Sequence, residues 1–379
     1  MELNCIFEVA VIGLGLIGSA ACRYLSLSSD SVLGVGPPEP RDWKTHTGVF
    51  ASHYDEARLT RVVDKDDVWS KLAARSIESY KSVEASGIKF HHPVGFLRVT
   101  PFYQEQGDTL LAAYETGKRN GAAVELIESG GAGYVNPRAL VQAQLEVAAK
   151  HDALIVTETA VSIEPTESGV IITTDSGRLL RAKKVLICAD AYSNSLLPNR
   201  ELALTTHLVS VLLGEVDTEE AEKLKSMPSI IWRLHNHPYF HSIYASPPVS
   251  YPDGKRYIKI GGRSGNHTAN RPLRSLWNGF TATAGRRKRN RSTRKSCIVT
   301  YTATNYPYIA AVDGKREADA QVFVCTGGCG AAAKSSDEIG RMGALLVSRG
   351  AWNHDLPSDL FKPVSAAVKR NAGTTPPQA

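Results

Sequence analysis

The sequence predicts an α/β fold in which both ends of the chain build one parallel-sheet domain and the middle inserts an antiparallel sheet. Three observations predict it. Val9-Ala10-Val11-Ile12 runs into Gly13-Leu14-Gly15-Leu16-Ile17-Gly18, followed by the helix-forming run Ser19 to Leu25. A second strand-to-helix turn comes more than 300 residues later, where Val322-Phe323-Val324-Cys325 leads into Thr326-Gly327-Gly328-Cys329-Gly330. Between them, from about residue 205, the pattern is strand-rich and aromatic, with Trp232, Tyr239, Phe240 and Tyr244. A short apolar run ending in Gly-x-Gly-x-x-Gly is the Rossmann-like dinucleotide fingerprint. Its first glycine allows the tight turn, its second lets a pyrophosphate approach the backbone, and its third lets the helix pack on the strand. The helix start then offers free N–H groups to an anion.

The chain has 379 residues, of which 42% are hydrophobic and 22% charged. That length suits two folded domains, and that composition excludes a chain disordered throughout. No apolar run reaches about 18 residues, so no transmembrane helix is expected. Met1-Glu2-Leu3-Asn4-Cys5 lacks a signal-peptide pattern, and Thr374 to Ala379 lacks a Ser-Lys-Leu address, so a cytoplasmic location is expected. Six scattered cysteines without Cys-x-x-Cys spacing argue against a zinc site and for free thiols. The net charge is +6, and much of it lies in residues 286–295, which hold seven basic residues in ten. No aromatic residue interleaves that run, so it reads as a solvated or disordered loop rather than a nucleic-acid patch.

Taken in order, Ser31 to Gly36 reads as a second parallel strand. Gly36 stands where a Rossmann unit usually carries a ribose-binding acid, and Glu39 follows three residues later. Gly48 to Arg61 is dense in ionisable side chains. Arg58 and Arg61 would share a face on a helical turn, where they could clamp an anion or simply pair with Asp55 and Glu56. Residues 66–85 read as an amphipathic helix capped by Asp66 or Asp67. Gly87 to Val99 alternates like a hairpin, with His91 and His92 on opposite faces, and 103–121 reads as a helix. Asn136-Pro137 opens a helix to about Lys150. Strands follow at 153–156, 161–163 (from Val161), 170–174 and 184–189 (ending at Ala189). Tyr251-Pro252-Asp253-Gly254-Lys255 is a hairpin turn leading into Arg256 to Gly262. In that strand Lys259 faces away from Ile258 and Ile260. It is either an outward-facing lysine or a buried, paired amine with a task.

Together these pieces resemble the D-amino-acid oxidase superfamily of flavoproteins. More narrowly, they are similar to the group of monomeric sarcosine oxidase, N-methyltryptophan oxidase and pipecolate oxidase. The resemblance rests on Gly13-x-Gly15-x-x-Gly18, on Ser52-His53 to Arg58-x-x-Arg61, on Lys259-Ile260-Gly261, on Cys297-x-x-Thr300-x-Thr302 and on Gly328-x-Gly330. It implies FAD as cofactor, a small amine as substrate and oxygen as acceptor. Cys297 falls where the group attaches its flavin through a thioether; a plain buried thiol is the other reading. Lys259 falls at the oxygen-activating lysine, Arg61 at the arginine that binds substrate carboxylate, and Arg58 beside the flavin ring. Ser52 and His53 fall in the flavin loop, where Tyr54 replaces a frequent second histidine. Arg263 stands where a histidine is usual, and Tyr244 joins it as a candidate substrate contact. Leu16, Ile17, Gly36, Val161, Ala189, Gly328, Cys329 and Gly330 are the further expected cofactor contacts. The second carboxylate-binding lysine falls on Ala332, and Lys334 takes its place after a local shift.

The implied layout is an FAD-binding domain at 1–85, 135–205 and 297–365, a substrate domain at 86–134 and 206–296, and a flexible tail at 366–379. The implied reaction is oxidation of the C–N bond of an amino acid or related amine, giving an imine and hydrogen peroxide. A monomer or weak oligomer is expected, with no membrane or nucleic-acid partner. A flavin amine dehydrogenase with another acceptor is one alternative. A catalytically impaired flavin-binding protein is the other, since residues 260–296 look short for the group.

Overall fold

A computed structural model describes residues 5–29, 31–40, 45–100, 103–123, 127–197, 200–234, 237, 240–263 and 292–366. In chain order the elements are β1 (Ile6–Ile12), α1 (Leu16–Ser26), β2 (Val32–Val35), β3 (Arg58–Thr60), α2 (Asp67–Glu84), β4 (His91–His92), β5 (Phe96–Val99) and α3 (Tyr103–Arg119). Next come β6 (Gly133–Val135), α4 (Pro137–Lys150), β7 (Leu154–Val156), β8 (Ala160–Thr166), β9 (Gly169–Thr174), β10 (Leu179–Ile187) and β11 (Leu204–Val216). The remainder is α5 (Thr218–Lys223), β12 (Ser229–Arg233), β13 (Ser242–Ala245), β14 (Val249–Ser250), β15 (Arg256–Arg263), β16 (Ser292–Thr302), β17 (Tyr308–Ala311), β18 (Val322–Thr326) and α6 (Ser336–Arg349).

The first sheet has the order β17-β18-β10-β1-β2-β7, with β9 and β8 added beside β10. Its centre is parallel: β1 pairs with both β2 and β10, and β10 with β18. Both faces of these strands are covered, which is why they read as unbroken apolar runs. Val9 and Val11 face a core shared with α1 and α6, while Ala10 and Ile12 face a core shared with β8 and β9. The two chain ends meet directly. A Cβ at Gly340 of α6 would stand 2.6 Å from the Ala20 Cβ and 2.7 Å from the Ile17 carbonyl oxygen of α1. Beside that contact, buried Asp337 accepts from Arg23 (2.9 Å), Tyr24 (2.8 Å), Ser79 (2.6 Å) and Gln144 (2.7 Å), tying α1, α2, α4 and α6 together.

The second sheet has the order β16-β11-β15-β13-β12-β5, with β14 beside β15. It is antiparallel except where β12 meets β5. A third, small sheet joins β3, β6 and β4. Asp66 caps α2 by accepting from the Trp69 N–H at 3.0 Å, and Asn136 caps α4 by accepting from Ala139 at 3.1 Å. The 251–255 hairpin is present, with Val249 opposite Tyr257 and Ser250 opposite Arg256.

Three expectations change. Residues 87–99 form no hairpin: β4 pairs with β6, whereas β5 pairs with β12. Pro93 and Gly95 break the run, Gly95 in the left-handed region at φ +86°, and send the two halves to different sheets. Arg58 sits on a strand rather than a helical turn, so Arg61 does not share its face. The end of the basic run, Ser292–Lys295, is the start of β16, and Lys295 is buried. Residues 286–291 lie outside the described residues, as do 367–379. Among the described residues no helix is long and apolar enough to cross a membrane.

Candidate active site

One face of the second sheet lines a cavity of about 2420 Å³. Strand register decides which side chains face it. Cys297 on β16 is opposite Val209 on β11, and Val211 is opposite both Lys295 on β16 and Gly261 on β15. Gly261 is opposite Tyr244 on β13, and Tyr244 is opposite Ile231 on β12. Lys259, two residues from Gly261, therefore shares the face. The alternate residues Ile258 and Leu212 pack into a core on the far side.

The opposite wall comes from the first sheet. Gly13, Gly15, Leu16 and Ile17 line the cavity where β1 becomes α1, and Gly36, Ala189, Gly328, Cys329 and Gly330 line it at neighbouring strand ends. Val161, half exposed, stands at its rim. Gly13 has φ +93°, a conformation open to glycine. Gly18 does not line the cavity: a Cβ there would stand 1.8 Å from the Gly13 carbonyl oxygen, so it acts in helix packing. Arg263 contributes backbone pairing to Ser242, and its side chain lies outside the described residues.

The loop of residues 49–57 joins the two walls through Asp55. Its carboxylate accepts from Lys259 Nζ (2.6 Å), Tyr251 Oη (2.8 Å), the Glu56 N–H (2.9 Å) and Arg58. Lys259 also donates to the Ala57 carbonyl at 2.7 Å and is 1% exposed. Burial and the neighbouring Arg58 push its pKa down. Arg58 donates to the Ser52 carbonyl at 2.8 Å and stands 3.9 Å from the Cys297 sulfur. Lys295 donates to the Tyr54 carbonyl, and burial followed by Arg138 and Arg58 lowers its pKa to about 7. Burial raises the Tyr244 phenol to about 12, which keeps it protonated.

A second charged group occupies another part of the cavity. Arg61 lies over the Phe96 ring, 5.2 Å from its centroid, and pairs with Asp64 at 3.5 Å. Lys334 is fully buried and donates to Asp64 at 2.8 Å. Burial lowers the Lys334 pKa to about 8. Burial also favours the neutral form of Asp64, but Lys334 and Arg61 outweigh it and hold the carboxyl well below its usual range. Arg61 and Lys334, 273 residues apart in sequence, are thus brought to one carboxylate.

The first wall fits a dinucleotide. Gly15 has no side-chain cap to offer, and a Cβ on it would meet only the His53 Nδ1, at 3.8 Å. That nitrogen is buried with no hydrogen-bond partner among the described residues, beside a helix start whose first N–H groups are open to a ligand. The cavity exceeds the roughly 300–1000 Å³ that holds a drug-sized ligand. An extended cofactor and a small substrate together match it better.

Residues 8–346 match the family described as DAO, FAD dependent oxidoreductase. The chain belongs to this family. Its fold agrees with that assignment. The structure of NikD, described as an unusual amino acid oxidase essential for nikkomycin biosynthesis, superposes with a TM-score of 0.71 at 16% identity, covering 97% of this chain and 98% of that one. Amadoriase I from Aspergillus fumigatus gives 0.70 at 15% identity, covering 95% and 90%. L-proline dehydrogenase from P. horikoshii gives 0.72 at 15%, covering 97% and 99%. A monomeric sarcosine oxidase of Streptomyces avermitilis is 29% identical over 224 residues. That match covers 52% of this chain, and the chain spans only 56% of that relative's length. In this FAD-dependent oxidoreductase Gly13, Gly15 and His53 stand together on the cavity wall where β1 becomes α1. Nothing local in the sequence singles out Asp64 or Arg98. For Lys295 there is a signal, its even spacing from Cys297 on one strand.

Proposed function

We propose that this FAD-dependent oxidoreductase oxidises the C–N bond of a small amine carrying a carboxylate, with oxygen as acceptor. The observation that carries the reading is the placing of Cys297, Lys259 and Tyr244 on one sheet face opposite the glycine turns. When bound, FAD supplies two-electron oxidation of the amine carbon and passes the electrons to oxygen, giving hydrogen peroxide. Gly13, Gly15, Leu16 and Ile17 would hold its phosphates through backbone N–H groups, His53 and Arg58 would contact it, and Cys297 would be its point of attachment.

The chain's own residues bind and orient the substrate. Arg61 and Lys334 hold the substrate carboxylate by charge-assisted hydrogen bonds. Tyr244, kept protonated, donates from the sheet face. The Arg58 guanidinium disfavours a protonated substrate amine nearby, and only the neutral amine has the lone pair that C–N oxidation needs. Lys259 also sets a positive charge in a dry site, where it stabilises negative charge developing on oxygen. The six free cysteines support a reducing, cytoplasmic setting. The split into two large sheets supports reading the β11–β15 region as the substrate-facing domain.

The deciding experiment is turnover of N-methyl amino acids under air with peroxide measured against substrate consumed. One peroxide per amine supports the oxidase. A second reading, a dehydrogenase, is favoured by the Asp55 carboxylate 2.6 Å from Lys259 Nζ, which offsets the charge oxygen would meet. Amine consumption with a dye acceptor and no peroxide under air would establish it.

A further inference from the structure

The ladder that carries Arg61 to the cavity ends one residue before it. β3 pairs with β6 as far as Thr60, which stands opposite Gly133. The next two buried residues, Val62 and Val63, give their N–H groups to one side chain. Glu128 accepts the first on Oε1 at 2.5 Å and the second on Oε2 at 3.1 Å. From the other side, the Ser70 hydroxyl of α2 donates to the Val62 carbonyl at 2.8 Å. The two residues between Arg61 and Asp64 are thus clamped on both donor and acceptor sides.

Glu128 also holds the floor of the site. Its main chain exchanges both hydrogen bonds with Phe96, each at 2.9 Å, and the Phe96 ring lies under Arg61. Glu128 is buried, and it does not line the cavity. Burial raises its pKa above the ordinary carboxylate value, against the Val62 and Val63 N–H groups and the Arg61 and Lys334 charges. An acid is a costly residue to bury. What it supplies that an apolar residue cannot is two acceptors set for successive N–H groups. A slip of residues 62–63 would move Arg61, and with it Asp64, the carboxylate shared by Arg61 and Lys334.

We propose that Glu128 is a positioning residue for substrate carboxylate: acting through the main chain, it fixes Arg61 in the place where that carboxylate is met. This rests on reading Arg61 and Lys334 as the carboxylate holders, and adds a residue that touches no substrate. The charge of Glu128 and its hydrogen bonds act in opposite directions on a bound anion. The charge repels the anion, whereas the clamp presents Arg61 to it. Loss of the charge alone would tighten carboxylate binding. Loss of the clamp loosens it, so the sign of the change separates the two.

The test is calorimetric titration of the flavin-loaded protein with acetate and with acetamide, its uncharged isostere, at fixed salt. Wild type should bind acetate more tightly. Glu128→Gln keeps the shape but turns one acceptor into a donor facing an N–H group. Its acetate Kd should rise about tenfold, the scale of one charge-assisted hydrogen bond, with acetamide within about twofold of wild type. With an N-methyl amino acid as substrate, KM should rise while kcat changes little. Glu128→Asp keeps the charge and withdraws both oxygens, so it should lose acetate affinity as well. Tighter acetate binding by Glu128→Gln would overturn the proposal, and so would normal acetate binding by Glu128→Asp. Unchanged acetate affinity with lowered stability would reduce Glu128 to a structural residue, and equal weakening of acetate and acetamide would do the same. A wild type that does not distinguish acetate from acetamide would remove the carboxylate-site reading, and the proposal with it. Should Glu128→Gln fail to fold, Glu128→Asp carries the same comparison.

Discussion

Lys259 Nζ stands 2.6 Å from Asp55 Oδ2, and both side chains are about 2% exposed. The pair crosses 204 residues of sequence and fixes the loop of residues 49–57 against the antiparallel sheet. Breaking one half of such a buried pair leaves the other charge uncompensated. Asp55→Asn should therefore destabilise the protein by about 3–5 kcal/mol in denaturant melts, and Asp55→Asn combined with Lys259→Met should recover part of that loss. Additive losses in the cycle would show that the two side chains are not coupled.

Lys259→Met separates binding from electron delivery. Anaerobic reduction of the flavin by substrate should persist, while reoxidation by air should slow on the order of 10²-fold, the scale for removing one aimed charge from a dry site. Stopped-flow absorbance reads both half-reactions. Equal slowing of the two would remove the lysine from any role specific to oxygen.

Cys297 stands 3.9 Å from Arg58 on the sheet face that borders the cofactor cavity. Acid precipitation of wild type should leave yellow colour in the pellet, whereas Cys297→Ser should release it to the supernatant. A colourless wild-type pellet would rule out the thioether.

His53 links acid stability to the cofactor loop. Burial first, then Arg138 and Arg58, lower its pKa from 6.5 to about 3, so the folded protein holds it neutral. Between those values the unfolded chain binds a proton that the folded chain does not. The His53 contribution is therefore complete above pH 6.5 and is lost progressively as pH falls toward 3. His53→Gln should flatten that part of the profile by on the order of 1–3 kcal/mol relative to wild type. Parallel wild-type and variant curves from pH 7 to 4 would contradict the assignment.

The third glycine of the turn has no room for a methyl group. Gly18→Ala would place a Cβ 1.8 Å from the Gly13 oxygen, so the purified variant should carry little or no flavin. Normal flavin content would show that the helix can move away without cost to the cradle.

What could be read from the sequence was local. The Gly13–Gly18 turn, the Asp66 and Asn136 caps and the Tyr251–Lys255 hairpin each depend on neighbours within a few residues, and each stands in the fold. Arg58 and Arg61 were three apart and looked like one helical face, but β3 pairs with β6, and strand geometry sent them to different parts of the cavity. Lys295 disappeared into a basic run because composition ignores parity; on β16 the parity places it on the Cys297 face. Asp55 and Asp64 could be read only as local partners of Arg58 and Arg61, because their other partners Lys259 and Lys334 lie more than 200 residues away.

The contact of Gly340 with α1 has a consequence for biosynthesis. The helix that begins at the glycine turn is wedged against a segment made more than 300 residues after it. Until residues 322–349 have emerged, the nascent polypeptide lacks β18 beside β10 and the Gly328–Lys334 wall. A translation product cut short before residue 322 would therefore accumulate as colourless protein.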